Sequence, residues 1–125
     1  MLNNILIYIG SVIIIIWGIA HIVPTKKVIA GYGDISRDNK LILIMEWIAE
    51  GATLIFIGIL TLVINILNGY QNAVSLNVFR ISSVMLIIMA ILTTFTGART
   101  KVIFFKLCPF VKIIVAVLFL LAVYL

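Results

Sequence analysis

The chain has 125 residues, 65% of them hydrophobic and 10% charged, with a mean hydropathy of +1.36. Soluble domains carry about 45–50% apolar and about 25% charged residues, so an ordinary soluble domain is excluded, and low hydrophobicity, the mark of disorder, is absent. One cysteine cannot form an intrachain disulfide scaffold. What remains is an all-α integral membrane protein, a single transmembrane domain over residues 1–125.

Nine Lys/Arg against four Asp/Glu give a net charge of +5. In a soluble protein that balance would suggest a nucleic-acid partner. Here the bases sit in short segments between apolar runs, where they meet anionic headgroups, so the expected partner is membrane lipid and not nucleic acid.

A spanning helix needs about 20 mostly apolar residues, and four segments qualify, at about 5–23, 41–67, 78–96 and 109–125. The first stops at Pro24, which disfavours helix in the residue before it. It has neither a basic leader nor a small-x-small cleavage site, and is expected to be retained rather than cleaved. The second is the longest. The third ends at Gly97, suited to a helix C-terminus, and the fourth opens on Pro109, suited to a first helical turn. The stretch Lys101-Val-Ile-Phe-Phe-Lys106 either lies in the headgroup plane with its rings down or forms the first turns of a longer fourth span.

Charge orients the bundle. The connection between spans one and two carries Lys26, Lys27, Arg37 and Lys40, and the region from Arg99 through Lys101 and Lys106 to Lys112 carries the other group. Arg80 is the one base on the opposite side. Short cytoplasmic loops collect Lys and Arg, so the expected fold is a four-helix transmembrane bundle in the cell membrane with both termini outside.

Ionisable residues inside spans cost about 2.5–3.5 kcal/mol on insertion scales and usually face the bundle interior. Glu46 and Glu50 are one turn apart on span two, with Thr53 on the same stripe, while Gly51 and Gly58 share another face where a neighbouring helix can approach. From a helix start near Leu41, a rise of about 1.5 Å per residue puts Glu46 about 8 Å deep and Glu50 about 14 Å deep. On span one, His21 shares a face with Gly18, Trp17, Ile14, Gly10 and Asn3, and antiparallel packing brings it toward Glu46. Thr93, Thr94, Thr96 and Arg99 lie at the same inner end. The expected ligand- or proton-binding cluster is His21, Glu46, Glu50, Thr53, Thr94 and Arg99. Blander roles compete: His21 as an interfacial residue, Glu46 snorkelling to pair with Lys40 or Arg99, and the threonines as interhelical hydrogen bonders.

Trp17, Trp47, Tyr8 and Tyr124 are read as interfacial or packing aromatics without chemistry. Cys108 is read as closing the inner end of span four, with lipid attachment as one use. The Cys108-Pro109 pair is too short a motif to carry haem ligation. A metal set of His21, Glu46 and Glu50 lacks a diagnostic spacing, and hydrolase, P-loop, Rossmann and zinc signatures are missing. No catalytic residue, metal or other cofactor is therefore expected.

The layout resembles the DoxX-like group of small four-span membrane proteins. The features are a first span ending Gly18-Ile-Ala-His21-Ile-Val-Pro24, the loop pair Gly31-Tyr-Gly33, and Glu50-Gly51 in the inner half of span two. Some members of that group are associated with quinone-linked oxidation of reduced sulfur. The small multidrug-resistance group is similar in size, but its key glutamate lies in the first span.

Three functions follow as expectations. The first is a small-molecule transporter or binding protein in which Glu50 exchanges a proton, as a homodimer because four short spans leave little room for a closed pathway. The second is an accessory subunit of a larger membrane complex, a quinone-linked redox complex among the options, in which the glutamates fix helix register or pair with a partner. The third is a membrane-embedded lipid isomerase or transferase using Glu46 or Glu50 with His21.

Overall fold

The computed structural model describes residues 1–125. It contains α1 (Leu2–Ile22), a short α2 (Thr25–Ala30), α3 (Arg37–Asn68), α4 (Ala73–Phe95), a 3₁₀ turn (Gly97–Arg99) and α5 (Ile103–Tyr124). α1, α3, α4 with its 3₁₀ extension, and α5 are each long and apolar enough to cross a membrane. The protein is a small multi-pass membrane protein folded as an all-α four-helix bundle.

Local chemistry sets the ends. Ser36 caps α3 by accepting from the Asn39 N–H at 3.2 Å. At its other end, Gly69 takes a positive φ of 74° and donates its N–H to the Asn65 carbonyl at 2.9 Å. Asn72 then caps α4, its side chain accepting from the Val74 N–H at 2.8 Å. α3 and α4 are therefore joined by a tight turn, and α4 starts earlier than the apolar pattern alone suggests. α5 also starts early, at Ile103, so the stretch containing Phe104 and Phe105 lies within its first turns rather than apart in the headgroup plane. Pro109 consequently lies inside α5, where the Phe105 carbonyl has no i+4 N–H to accept. α2 follows Pro24 and buries Ile29.

Around the bundle the order is α3, α1, α5, α4, and the seam between α3 and α4 is the most sparsely packed. α1 and α3 are the most closely packed pair. A Cβ placed at Gly18 would stand 2.7 Å from the Gly51 carbonyl oxygen, and one at Gly58 would stand 2.8 Å from the Ser11 carbonyl. These two contacts recur at the same seven-residue spacing on both helices, so one small-residue seam runs along the pair. A hydrogen bond of 2.8 Å between the Ser11 and Thr61 hydroxyls reinforces it.

On the other flank of α1, Gly10 lies under the Phe119 ring and the Asn3 amide donates to the Ala122 carbonyl at 2.9 Å, bringing both chain ends together. The basic connections lie at the opposite end, called the basic end below. Ser83 joins α4 to α5 by donating to the Ala116 carbonyl at 3.2 Å. Ile7, Ile14, Leu54, Ile57, Phe79, Leu86, Val115 and Phe119 fill the core between these seams. Large apolar side chains such as Ile16, Phe56, Ile81, Phe95 and Phe110 point outward, where lipid is the solvent.

Because lipid competes for apolar contact, close backbone approach carries much of the α1–α3 association. Gly58→Val should cost about 1–3 kcal/mol, the usual range for overpacking, read as a lower thermal midpoint in detergent. Ala52→Val, on an exposed face of the same helix, should leave that midpoint unchanged.

Candidate functional site

The Gly18–Gly51 contact fixes the register of α1 against α3. One turn further toward the basic end, His21 falls between Trp47 and Glu50. Its ring stacks on the Trp47 indole with centroids 3.9 Å apart and planes 18° from parallel. The Trp47 Nε1–H donates to the His21 carbonyl at 2.7 Å. Nε2 of His21 lies 3.6 Å from Oε2 of Glu50. The histidine is only 2% exposed, and neither ring nitrogen has a hydrogen-bond partner.

The second oxygen of Glu50 bonds Lys112, whose ammonium donates to Oε1. Lys112 is fully buried, whereas the Glu50 side chain is 32% exposed. The ammonium also donates to the Thr93 hydroxyl at 2.8 Å. One carboxylate thus ties α3 to α5 and, through the lysine, to α4, with His21 of α1 on its other side.

Cys108 lies one turn before Lys112 on α5. Its sulfur is buried and accepts the Trp17 Nε1–H at 3.3 Å. Ligand atoms of His21, Glu50 and Cys108 all lie within 4.8 Å of one another. Aromatic rings close the group on the basic side: Phe104 stacks on Trp17 at 4.6 Å, and Phe105 meets Trp47 edge-on at 5.2 Å.

A cleft of about 630 Å³ opens in the sparse α3–α4 seam beside this cluster. His21, Glu50, Cys108 and Thr93 lie on its polar side, while Met85, Met89 and Leu92 supply much of its apolar wall. That volume is within the roughly 300–1,000 Å³ usual for small-molecule sites.

The structure brings His21 and Glu50 together and sets the other expected residues around them. The expected approach of His21 to Glu46 is replaced by contact with Glu50, because the glycine crossing sets the register one turn deeper. Glu46 is exposed on the cleft rim, and neither Lys40 nor Arg99 forms an ion pair with it. Thr53 lines the cleft, its hydroxyl donating to the Ala49 carbonyl of its own helix at 2.8 Å. Thr94 is exposed and donates back to the Ala90 carbonyl at 2.8 Å, so the α4 threonine in the cluster is its neighbour Thr93. Arg99 is exposed in the 3₁₀ turn, away from the carboxylates. Cys108 is 2% exposed and its sulfur faces Trp17 and the cleft rather than the outside of the bundle, which disfavours lipid attachment.

Lys112 is the residue that charge counting hides. Grouped with the inner basic residues, it reads as one more cytoplasmic charge, yet Phe110, Val111, Ile113 and Ile114 surround it in sequence. A lone base in such a run is itself the sign of a buried, partnered group. The tryptophans, read as packing residues, hold two members of the cluster through their N–H groups.

Comparison with protein-family models, with curated proteins and with solved structures finds no match to this chain. Functional assignment therefore rests on the site itself.

A fully enclosed ion pair loses roughly 3–5 kcal/mol when one partner is removed. Glu50 faces the cleft, so Lys112→Met should cost less, about 2 kcal/mol. The double substitution Glu50→Gln/Lys112→Met, which strands no charge, should be more stable than Lys112→Met alone. Chemical unfolding of the detergent-solubilised protein measures both.

Proposed function

We propose that the protein binds a small amphipathic molecule in the α3–α4 cleft, with its polar end at Glu50 and its apolar part along Met85, Met89 and Leu92. The observation that carries this reading is the Glu50–Lys112 pair, which is held between spans but has its carboxylate turned to the cleft. Charged groups at such depth are costly and characteristically serve a ligand or ion path. The arrangement has both halves of a binding site. An apolar wall supplies area, and a few converging polar groups fix orientation.

In this reading Glu50 is the ligand's principal acceptor and its point of proton exchange. Lys112 and Thr93 orient the carboxylate, and His21 offers a second proton-carrying group beside it. The basic end faces the cytoplasm and the protein resides in the cell membrane, as the distribution of Lys and Arg favours. The DoxX-like resemblance belongs to this proposal too: two of its motifs contain His21 and Glu50, the residues that meet at the cleft.

Native mass spectrometry of gently extracted protein tests it, beside Glu50→Gln and the cleft-filling variant Met89→Trp. Glutamine keeps an oxygen to accept from Lys112 but leaves the ammonium uncompensated, whereas Met89→Trp leaves the ion pair untouched. Circular dichroism checks that each variant keeps native helix, and Met89→Trp carries the test if Glu50→Gln does not. The wild type should retain an organic adduct that both variants lose. Bare protein in all three, or an adduct surviving in both variants, would overturn the proposal.

A further inference from the structure

His21, Glu50 and Cys108 come from three different helices, yet their ligand atoms lie within 4.8 Å of one another. His21 and Cys108 are each only 2% exposed. A buried imidazole with two unpartnered nitrogens is an anomaly, since buried polar atoms are nearly always hydrogen-bonded. Imidazole, thiolate and carboxylate together form a donor set suited to a borderline divalent cation of the zinc type. We infer that His21, Glu50 and Cys108 form a binding site for a divalent transition-metal ion such as zinc.

The dimensions agree. Tetrahedral zinc, with bonds of about 2.0 Å to nitrogen and oxygen and about 2.3 Å to sulfur, sets its ligand atoms about 3.3–3.6 Å apart. The Nε2–Oε2 separation is 3.6 Å. Drawing the most distant pair into range takes side-chain movement of about 1 Å.

Each ligand is also oriented by a second group, as metal ligands usually are. Lys112 holds Oε1 of Glu50 and leaves Oε2 facing the histidine. The Trp17 N–H fixes the cysteine sulfur, and Trp47 fixes the plane of the imidazole. Thiolate and carboxylate offset the dication and the imidazole binds uncharged, so the Lys112 ammonium leaves the loaded site with one net positive charge. On loading, the S–H bond breaks, an S–metal bond forms and one proton is released. All three residues line the cleft, so the fourth coordination position faces it, as in zinc sites that bind an exogenous ligand.

This inference does not depend on the organic ligand proposed above, and the two fail separately. The test is titration of the chelator-stripped, detergent-solubilised full chain with Co²⁺ as the spectroscopic probe. Thiolate-to-cobalt charge-transfer absorption and tetrahedral ligand-field bands should saturate at one Co²⁺ per chain and disappear on addition of Zn²⁺. Cys108→Ser, nearly isosteric and so expected to fold, should abolish the charge-transfer band. His21→Gln should weaken binding by at least about 100-fold, the upper end of what losing an outer-shell partner costs.

Trp17→Phe gives a milder probe, with an expected loss of about 10-fold. Absence of the charge-transfer band at millimolar Co²⁺, or its persistence in Cys108→Ser, would overturn the site. An organic adduct in native mass spectra without cobalt absorption would leave only the binding-protein reading. Cobalt absorption without an adduct would leave only the metal site.

Discussion

The bond from Lys112 to Glu50 is the interaction on which the interior of this bundle depends. Neither group could sit between spans alone, because an ionised side chain there costs several kcal/mol without a partner. Together they form a neutral unit, and Thr93 takes a further donor of the ammonium. The lysine draws α5 toward α3, and the threonine draws α4 to the same point. A bundle whose α3–α4 seam is otherwise sparse thereby gains a polar clasp beside its cleft.

The clasp would be misaligned without the glycine crossing. Gly18 and Gly51 let two backbones approach to a distance that no Cβ would permit, and this contact sets how far along α3 the end of α1 reaches. His21 lands beside Glu50 as a result. Steric economy at one crossing and electrostatics one turn away thus specify the same register. Agreement between independent constraints of this kind is what makes a sequence select one arrangement over its neighbours.

Much of the fold was legible from the sequence, because lipid imposes simple rules. Four apolar runs of spanning length require helices, and the stripe of Gly51 and Gly58 marks the face that a neighbour covers. Glu50 and His21 were conspicuous as ionisable residues in apolar surroundings. The fine structure of the cluster was not legible. Thr93 and Thr94 are adjacent and about 100° apart on the helix, so the choice between them depends on where α5 lies. Lys112 follows three other bases in sequence and counts with them as loop charge. The proximity of Cys108 to His21 depends on α1 packing against α5, an arrangement that no periodicity within either helix encodes.

The length of α3 has a consequence of its own. Its 32 residues span about 48 Å, against about 32 Å for the 21 residues of α1, while a bilayer's hydrocarbon layer is about 30 Å thick. α3 therefore either tilts or projects beyond the hydrocarbon, where its polar first turn, Arg37 to Lys40, meets the headgroups. That same helix carries Trp47, Glu50 and one side of the glycine crossing. The tilt or projection that α3 adopts therefore also sets the depth at which the Glu50 cluster lies in the bilayer.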